Sequence, residues 1–432
     1  MFLRPDSGRT QPNSRFPKVA IIAFSPVASA RFVARRQQQT VIWRQHVSLQ
    51  AGHLVSDRGA TLQSARAGTY RSLLALSLRA HDIYLWAVGL YALSALAVAL
   101  LDPTANVRGF VELCVMTIVS LVFLTLISVS ILRFAHIAIH VKPTHPTIAL
   151  LQEIRRFFSH PARMANGVPI FAATFVLTIV YAFYKANIPH FFPFAWDHTF
   201  AELDRAIHFG TDPWRWLQPV LGFGPITALV NLFYNLWFIV MWMSWVVFGF
   251  RELSDFQRSR FFIAFILLWI VGGSLLATVF SSAGPTFFGK LGLTPDPYAD
   301  LVAYLNQVNE TIPVLALKLQ ELLWVGYTGQ IDVALGISAM PSLHNATMLL
   351  FTLAAFRIDR RMGLALAAYT VLIFVGSIHL AWHYALDAYV GYAITLVTWW
   401  LSGRIASWHE ARDVSRAYAL AIADCRDQTK SD

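Results

Sequence analysis

The chain has 432 residues, 56% hydrophobic and 13% charged, with a net charge of +10 and a mean hydropathy of +0.52. Soluble domains carry about 25% charged residues, so the composition excludes an ordinary soluble protein and indicates an all-α, polytopic membrane helix bundle. The excess arginines gather in the N-terminal tail and in short connections between apolar runs, as in membrane orientation signals, which argues against a nucleic-acid partner. Two cysteines, Cys114 and Cys425, are too few for a disulfide framework.

Residues 1–80 hold eleven arginines, one lysine and two aspartates. That composition predicts a basic, disordered cytoplasmic tail lying near anionic lipid, with an organelle-targeting peptide as the alternative. No cleavable signal peptide is evident, because the mildly apolar stretch at 20–30 is short and runs into arginines.

Eight apolar runs of about membrane-spanning length follow, at 83–101, 111–132, 168–187, 226–250, 261–280, 343–356, 363–380 and 386–402. The first two form an N-terminal pair within residues 81–140, the other six form a core over 168–402, and 403–432 is a C-terminal cytoplasmic tail. Basic residues alternate between connections: Arg133, Lys142, Arg155, Arg156 and Arg163, then Arg251, Arg258 and Arg260, then Arg357, Arg360 and Arg361. The connections between them are poorer in Lys and Arg for their length. The positive-inside rule therefore places both termini in the cytoplasm and the long connections outside a plasma or bacterial inner membrane.

On that topology the fifth run ends, the sixth begins and the seventh ends at one external level. Three polar segments meet there. Ser281-Ser282-Ala283-Gly284-Pro285 predicts a tight turn with backbone available to a ligand. Pro341-Ser342-Leu343-His344 predicts a helix start, with Ser342 as N-cap and free N–H groups suited to an anion. In the third segment His379, His383 and Asp387 fall four residues apart, so one helix would carry all three on one face. An ionisable residue is costly in an apolar setting and points to function. A carboxylate beside a histidine fixes its tautomer and raises its basicity. His383 is thus a candidate nucleophile, Asp387 its partner and His344 a proton donor. Spacing alone leaves open a zinc-type site built from His344, His379, His383 and Asp387. Lys185, at the outer end of the third run, either pairs with a phosphate or snorkels to head groups. The stretch from Trp196 to Trp216 and residues 297–325 are candidate amphipathic helices at the interface, the second covering the site.

These residues resemble the type 2 phosphatidic acid phosphatase and vanadium haloperoxidase superfamily, most nearly its inositol phosphorylceramide synthase-like branch of membrane phosphotransferases. Pro341 to His344 looks like the second motif, Gly376 to Asp387 like the third, and Gly284-Pro285 like that branch's version of the first. The likeness spans about 168–402. It implies a phosphatase-like six-helix core, with His383 attacking phosphorus, Asp387 orienting it, His344 acting as general acid and Ser342 holding the phosphate. It implies no metal and no other cofactor, and as substrate a phospholipid or isoprenoid-linked phosphate. The superfamily's first-motif lysine and arginine have no counterpart here. Ser377 stands where the third-motif arginine lies, and Leu343 replaces a glycine. Lys185, Lys290 or His379 is then left to supply positive charge. The expected activity is phosphatase or head-group transfer. A non-catalytic lipid-binding or transport protein is the alternative class.

Overall fold

A computed structural model describes residues 70–101, 107–250, 255–331 and 335–431, and every helix and strand assignment in them is helical. The predicted tail up to residue 69 lies outside the described residues. Residues 70–80, counted with that tail, instead form helix α1 (Tyr70–Ala80).

Next come α2 (Asp82–Leu101), α3 (Val107–His136, continued by a π-helical turn to Val141), α4 (Pro146–Phe158) and α5 (Pro161–Phe191). The predicted interfacial stretch resolves into two short helices, α6 (Asp197–Ile207) and α7 (Pro213–Leu221). Then follow α8 (Gly224–Asn235), α9 (Trp237–Phe250) and α10 (Asp255–Leu267), which runs on as a π-helical segment, Leu268–Leu276. The 297–325 region gives α11 (Ala299–Thr311) and α12 (Leu315–Tyr327). The chain closes with α13 (Leu343–Ala355), α14 (Arg360–His379), α15 (Ala385–Glu410) and α16 (Asp413–Ser431). Proline opens α4, α5, α7 and α8, where its missing N–H costs nothing. The Asp359 carboxylate caps α14 by accepting from Met362 N–H at 2.9 Å.

Among the described residues six helical segments are long and apolar enough to cross a membrane: α2, α3, α5, α8 with α9, α10 with its extension, and α14. The other two runs expected to span are also helical. Leu343–Ala355 has 13 residues, about 20 Å at 1.5 Å per residue, short of a 30 Å hydrocarbon layer. That helix is the centre of the bundle: α13 packs against α10, α14 and α15, and Ala346, Met348, Leu350 and Phe351 are fully buried. Burial grades outward from it. The hydrophobic window of α10 is 61% buried and that of α3 only 11%, which makes α3 a rim helix leaning on α5 and α9.

Candidate functional site

The third segment is not one continuous helix. α14 stops at His379, residues 380–384 turn with Ala381 in the left-handed region at φ 58°, and α15 starts at Ala385. The N–H groups of Trp382 and His383 both donate to Ser377 O, at 3.0 and 3.1 Å, closing the end of α14. A left-handed alanine costs about 1–3 kcal/mol and persists only where surroundings enforce it. Its consequence here is that the two histidines part. His379 Nε2 lies 2.9 Å from Thr227 Oγ1 on α8, and Thr227 also contacts the Tyr304 hydroxyl at 2.7 Å. His379 is held in that network and does not line the cavity that His383 lines.

The loop carrying His383 is fixed from three sides. Asp387 Oδ2 lies 3.2 Å from His383 Nδ1 and accepts Tyr384 N–H at 3.0 Å. A tautomer that turns Nδ1–H to this carboxylate leaves the Nε2 lone pair for chemistry. Asp204 on α6 accepts the N–H groups of Ala385 and Leu386, both at 3.0 Å, so a carboxylate satisfies the start of α15. Asp197, seven residues earlier, accepts Ala283 and Gly284 N–H at 2.8 Å each and the Tyr384 hydroxyl at 2.8 Å. Thr286 N–H donates to Ala381 O at 3.0 Å, and Gln320 to Leu380 O at 2.9 Å. Burial raises the Asp197 carboxyl, partly offset by those backbone donors, and pushes Asp204 up to about 6. Neither aspartate carries a motif; the signal available in the sequence was an acidic pair on the buried face of a short helix.

The first segment therefore differs from expectation. Its backbone is not free for a ligand, because Asp197 occupies the Ala283 and Gly284 N–H groups. Gly284 is required for another reason: its φ is +102°, and a Cβ there would stand 2.8 Å from Trp382 O. Pro285 opens a single 3-10 turn, and both residues act as supports for the His383 loop.

Ser342 occupies the N-cap position of α13, but its side chain makes no capping bond. Its hydroxyl accepts from Asn345 Nδ2 at 3.0 Å, its N–H donates to Asp387 O at 3.0 Å, and it is fully buried. Asn345 also donates to Ser377 Oγ at 3.2 Å and accepts from the Tyr392 hydroxyl at 3.0 Å. A single asparagine, unremarked in the sequence, thus ties the second motif to the third. His344 points the other way, its ring stacked on Tyr234 at 5.1 Å and against Trp237 at 4.2 Å.

Two imidazoles converge. The rings of His344 and His383 are 6.3 Å apart, and both face a cavity of about 640 Å³ whose wall also includes Lys185 of α5. Lys185 has no hydrogen-bond or ion-pair partner among the described residues. Lys290 lies elsewhere, bound to Glu321 at 2.6 Å. Of the three residues considered for the charge, Lys185 alone reaches the cavity. Burial, and then the Lys185 charge, hold His383 well below the usual histidine range, at about 3, against a smaller pull from the Ala339 backbone. Its imidazole is therefore neutral at neutral pH. Residues of α12, Leu319, Leu322 and Leu323, form part of the wall, as expected for a covering helix. Among the described residues no three His, Cys, Asp or Glu side chains gather in a form that would hold a metal ion. His379, one of the four ligands such a site would need, is turned away.

This geometry can bind an anion and move one proton. Lys185 brings a cationic side chain to the cavity, and His383 and His344 bring two imidazoles whose rings stand 6.3 Å apart. No curated protein and no solved structure matches the chain. The family model of the PAP2 superfamily matches residues 198–401, so this segment is similar to that superfamily.

Proposed function

We infer that the protein is an integral membrane phosphatase or phosphotransferase acting on a lipid-linked phosphate, with Lys185, His344 and His383 as its working groups. The observation that carries this reading is the shared cavity: two imidazoles and a lysine without a partner among the described residues face one space, while Asp197, Asp204 and Asp387 hold the His383 loop. The PAP2 superfamily match over 198–401 supports the same chemistry.

In the first step the Nε2 lone pair of His383 attacks phosphorus, and the P–O bond to the alcohol breaks. The departing oxygen takes the proton that His344 holds once the negatively charged phosphate is bound beside it. In the second step water or another alcohol gives its proton back to His344 and attacks phosphorus, and the P–N bond breaks. Water makes the reaction a hydrolysis; an alcohol makes it head-group transfer. Asp387 holds Nδ1–H throughout, and the Lys185 ammonium balances charge on the phosphoryl oxygens. Proton transfer by a positioned group is worth about 10²–10⁴ in rate. By charge distribution the site lies at the external face. A pure lipid-binding role finds less support, since a binder needs no neutral imidazole aligned by a carboxylate.

The test is phosphate release or head-group exchange from a panel of membrane lipids in detergent, comparing wild type with His383→Ala. Turnover lost in a folded variant is the expected result. Equal turnover in both proteins would refute the reading.

A further inference from the structure

The cavity has a second part that the proposed chemistry does not use. On α5 its lining runs from Lys185 down to Thr178, seven residues or about 10 Å deeper. On α9 it continues to Trp242, and the π-helical segment after α10 adds Trp269, whose ring lies 4.7 Å from that of Tyr181 on α5. The opposite wall is α3. Phe110, Cys114, Thr117 and Leu121 recur at the spacing of one helical face, and all four line the cavity. Away from that stripe Met116 and Phe123 are 69% and 64% exposed, so α3 turns one face to the cavity and another to the membrane. The α3 helix also lies before the matched segment 198–401.

A space with a lysine and two imidazoles at one end and an almost wholly apolar arm reaching about 10 Å inward is complementary to an amphiphile. A volume near 640 Å³ falls in the range of about 300–1,000 Å³ that encloses most of a medium-sized ligand. Burying hydrocarbon there gains roughly 0.8 kcal/mol per methylene relative to water. We propose that the arm between α3, α5 and α9 is the seat of the substrate's hydrocarbon chain, and that the α3 stripe sets which chain lengths are accepted. The proposal rests on the preceding reading for its polar end, since the phosphate at Lys185 and His383 fixes which way the chain points. A wall helix that carries none of the working groups lets chain selectivity differ without disturbing the His383 loop.

The experiment uses the full chain in detergent and dodecyl phosphate carrying a diazirine at the end of its chain. Photo-crosslinked peptides are mapped by mass spectrometry, with unlabelled dodecyl phosphate or butyl phosphate as competitor. Adducts between Phe110 and Leu121 and around Trp242 are expected. Dodecyl phosphate at about ten times its Kd should reduce them about tenfold by mass action, and butyl phosphate far less. In Leu121→Trp the adducts should be reduced severalfold while a shorter-chain probe still labels the same wall. Competable adducts mapping elsewhere, an absence of competable adducts, or equal competition by butyl phosphate would overturn the proposal. Lys185→Ala separates the two readings. Adducts on α3 that weaken severalfold support both, whereas undiminished adducts there keep the chain site and remove the phosphate assignment.

Discussion

The helix α15 has a histidine–carboxylate pair at each end. His383 Nδ1 stands 3.2 Å from Asp387 just before its first turn, and His409 Nδ1 stands 3.2 Å from Glu410 in its last. At the His409 end the neighbours close on one another. Ser259 donates to Glu410, Arg412 makes a two-pronged bond to Asp82 at 2.7 and 2.9 Å, and the remaining gap is about 10 Å³. At the His383 end the carboxylates bind backbone N–H groups, and the imidazole and Lys185 are left facing a cavity of about 640 Å³. A buried histidine beside a carboxylate is therefore a poor sign of chemistry by itself. The informative difference is whether neighbouring charges satisfy each other or are held apart around a space.

Substitution at the two ends should separate most at the histidines. His383→Ala is expected to lower turnover by on the order of 10⁴ or more, as when a nucleophile is removed. His409→Ala should leave kcat within about twofold and cost roughly 1 kcal/mol of stability through lost hydrogen bonding. Lipid-phosphate turnover and thermal unfolding in detergent measure both, and equal losses at the two sites would erase the distinction.

A subtler break is at the supports. Asp204→Asn replaces one acceptor oxygen by an amide that cannot accept from Leu386 or Ala385, and Asp197→Asn does the same at Ala283 or Gly284. A reacting group displaced by about 1 Å loses on the order of 10² in rate. Both variants are expected to lose kcat with KM nearly unchanged. Gly284→Ala tests the same clamp through sterics. Its backbone region is essentially closed to side chains, so about 1–3 kcal/mol of stability should be lost. Lys185→Ala should instead raise KM by about tenfold, with Lys185→Arg recovering part of the loss. A Lys185→Ala enzyme with unchanged KM and kcat would show that the phosphate charge is met elsewhere.

The smallest expected effect is on pH. Burial raises Asp204 to about 6, above its unfolded value of 3.8. As pH falls through 6 the folded protein takes up this proton before the unfolded chain does. The cost of holding the buried carboxylate ionised is thereby relieved, and this group's contribution to stability rises between pH 6 and 4. Asp204→Asn should remove that component from the pH dependence of thermal unfolding.

Much of this was legible in the sequence because it is local or periodic. Apolar runs locate the helices, Pro341-Ser342 marks the start of α13, and the order of the polar segments brings His344 and His383 together. Regular spacing misled at His379, because a helix break with Ala381 left-handed sits inside the four-residue pattern and sends its side chain to Thr227. The supports were not legible either. Asp197 and Asp204 bind backbone more than 80 residues away in sequence, and Asn345 joins Ser342 to Ser377 through contacts that no short motif encodes. The apolar arm depends on α3, whose composition marks it only as one more membrane helix.

The proposed mechanism requires that phosphorus become bonded to His383. Rapid mixing of the full chain with a radiolabelled lipid phosphate, denaturation at alkaline pH and peptide mapping address it directly. An acid-labile label on the peptide containing His383 is expected, formed within one turnover and missing in His383→Ala. Undiminished turnover in wild type with the label on another residue, or with no protein-bound label on the timescale of that turnover, would contradict it.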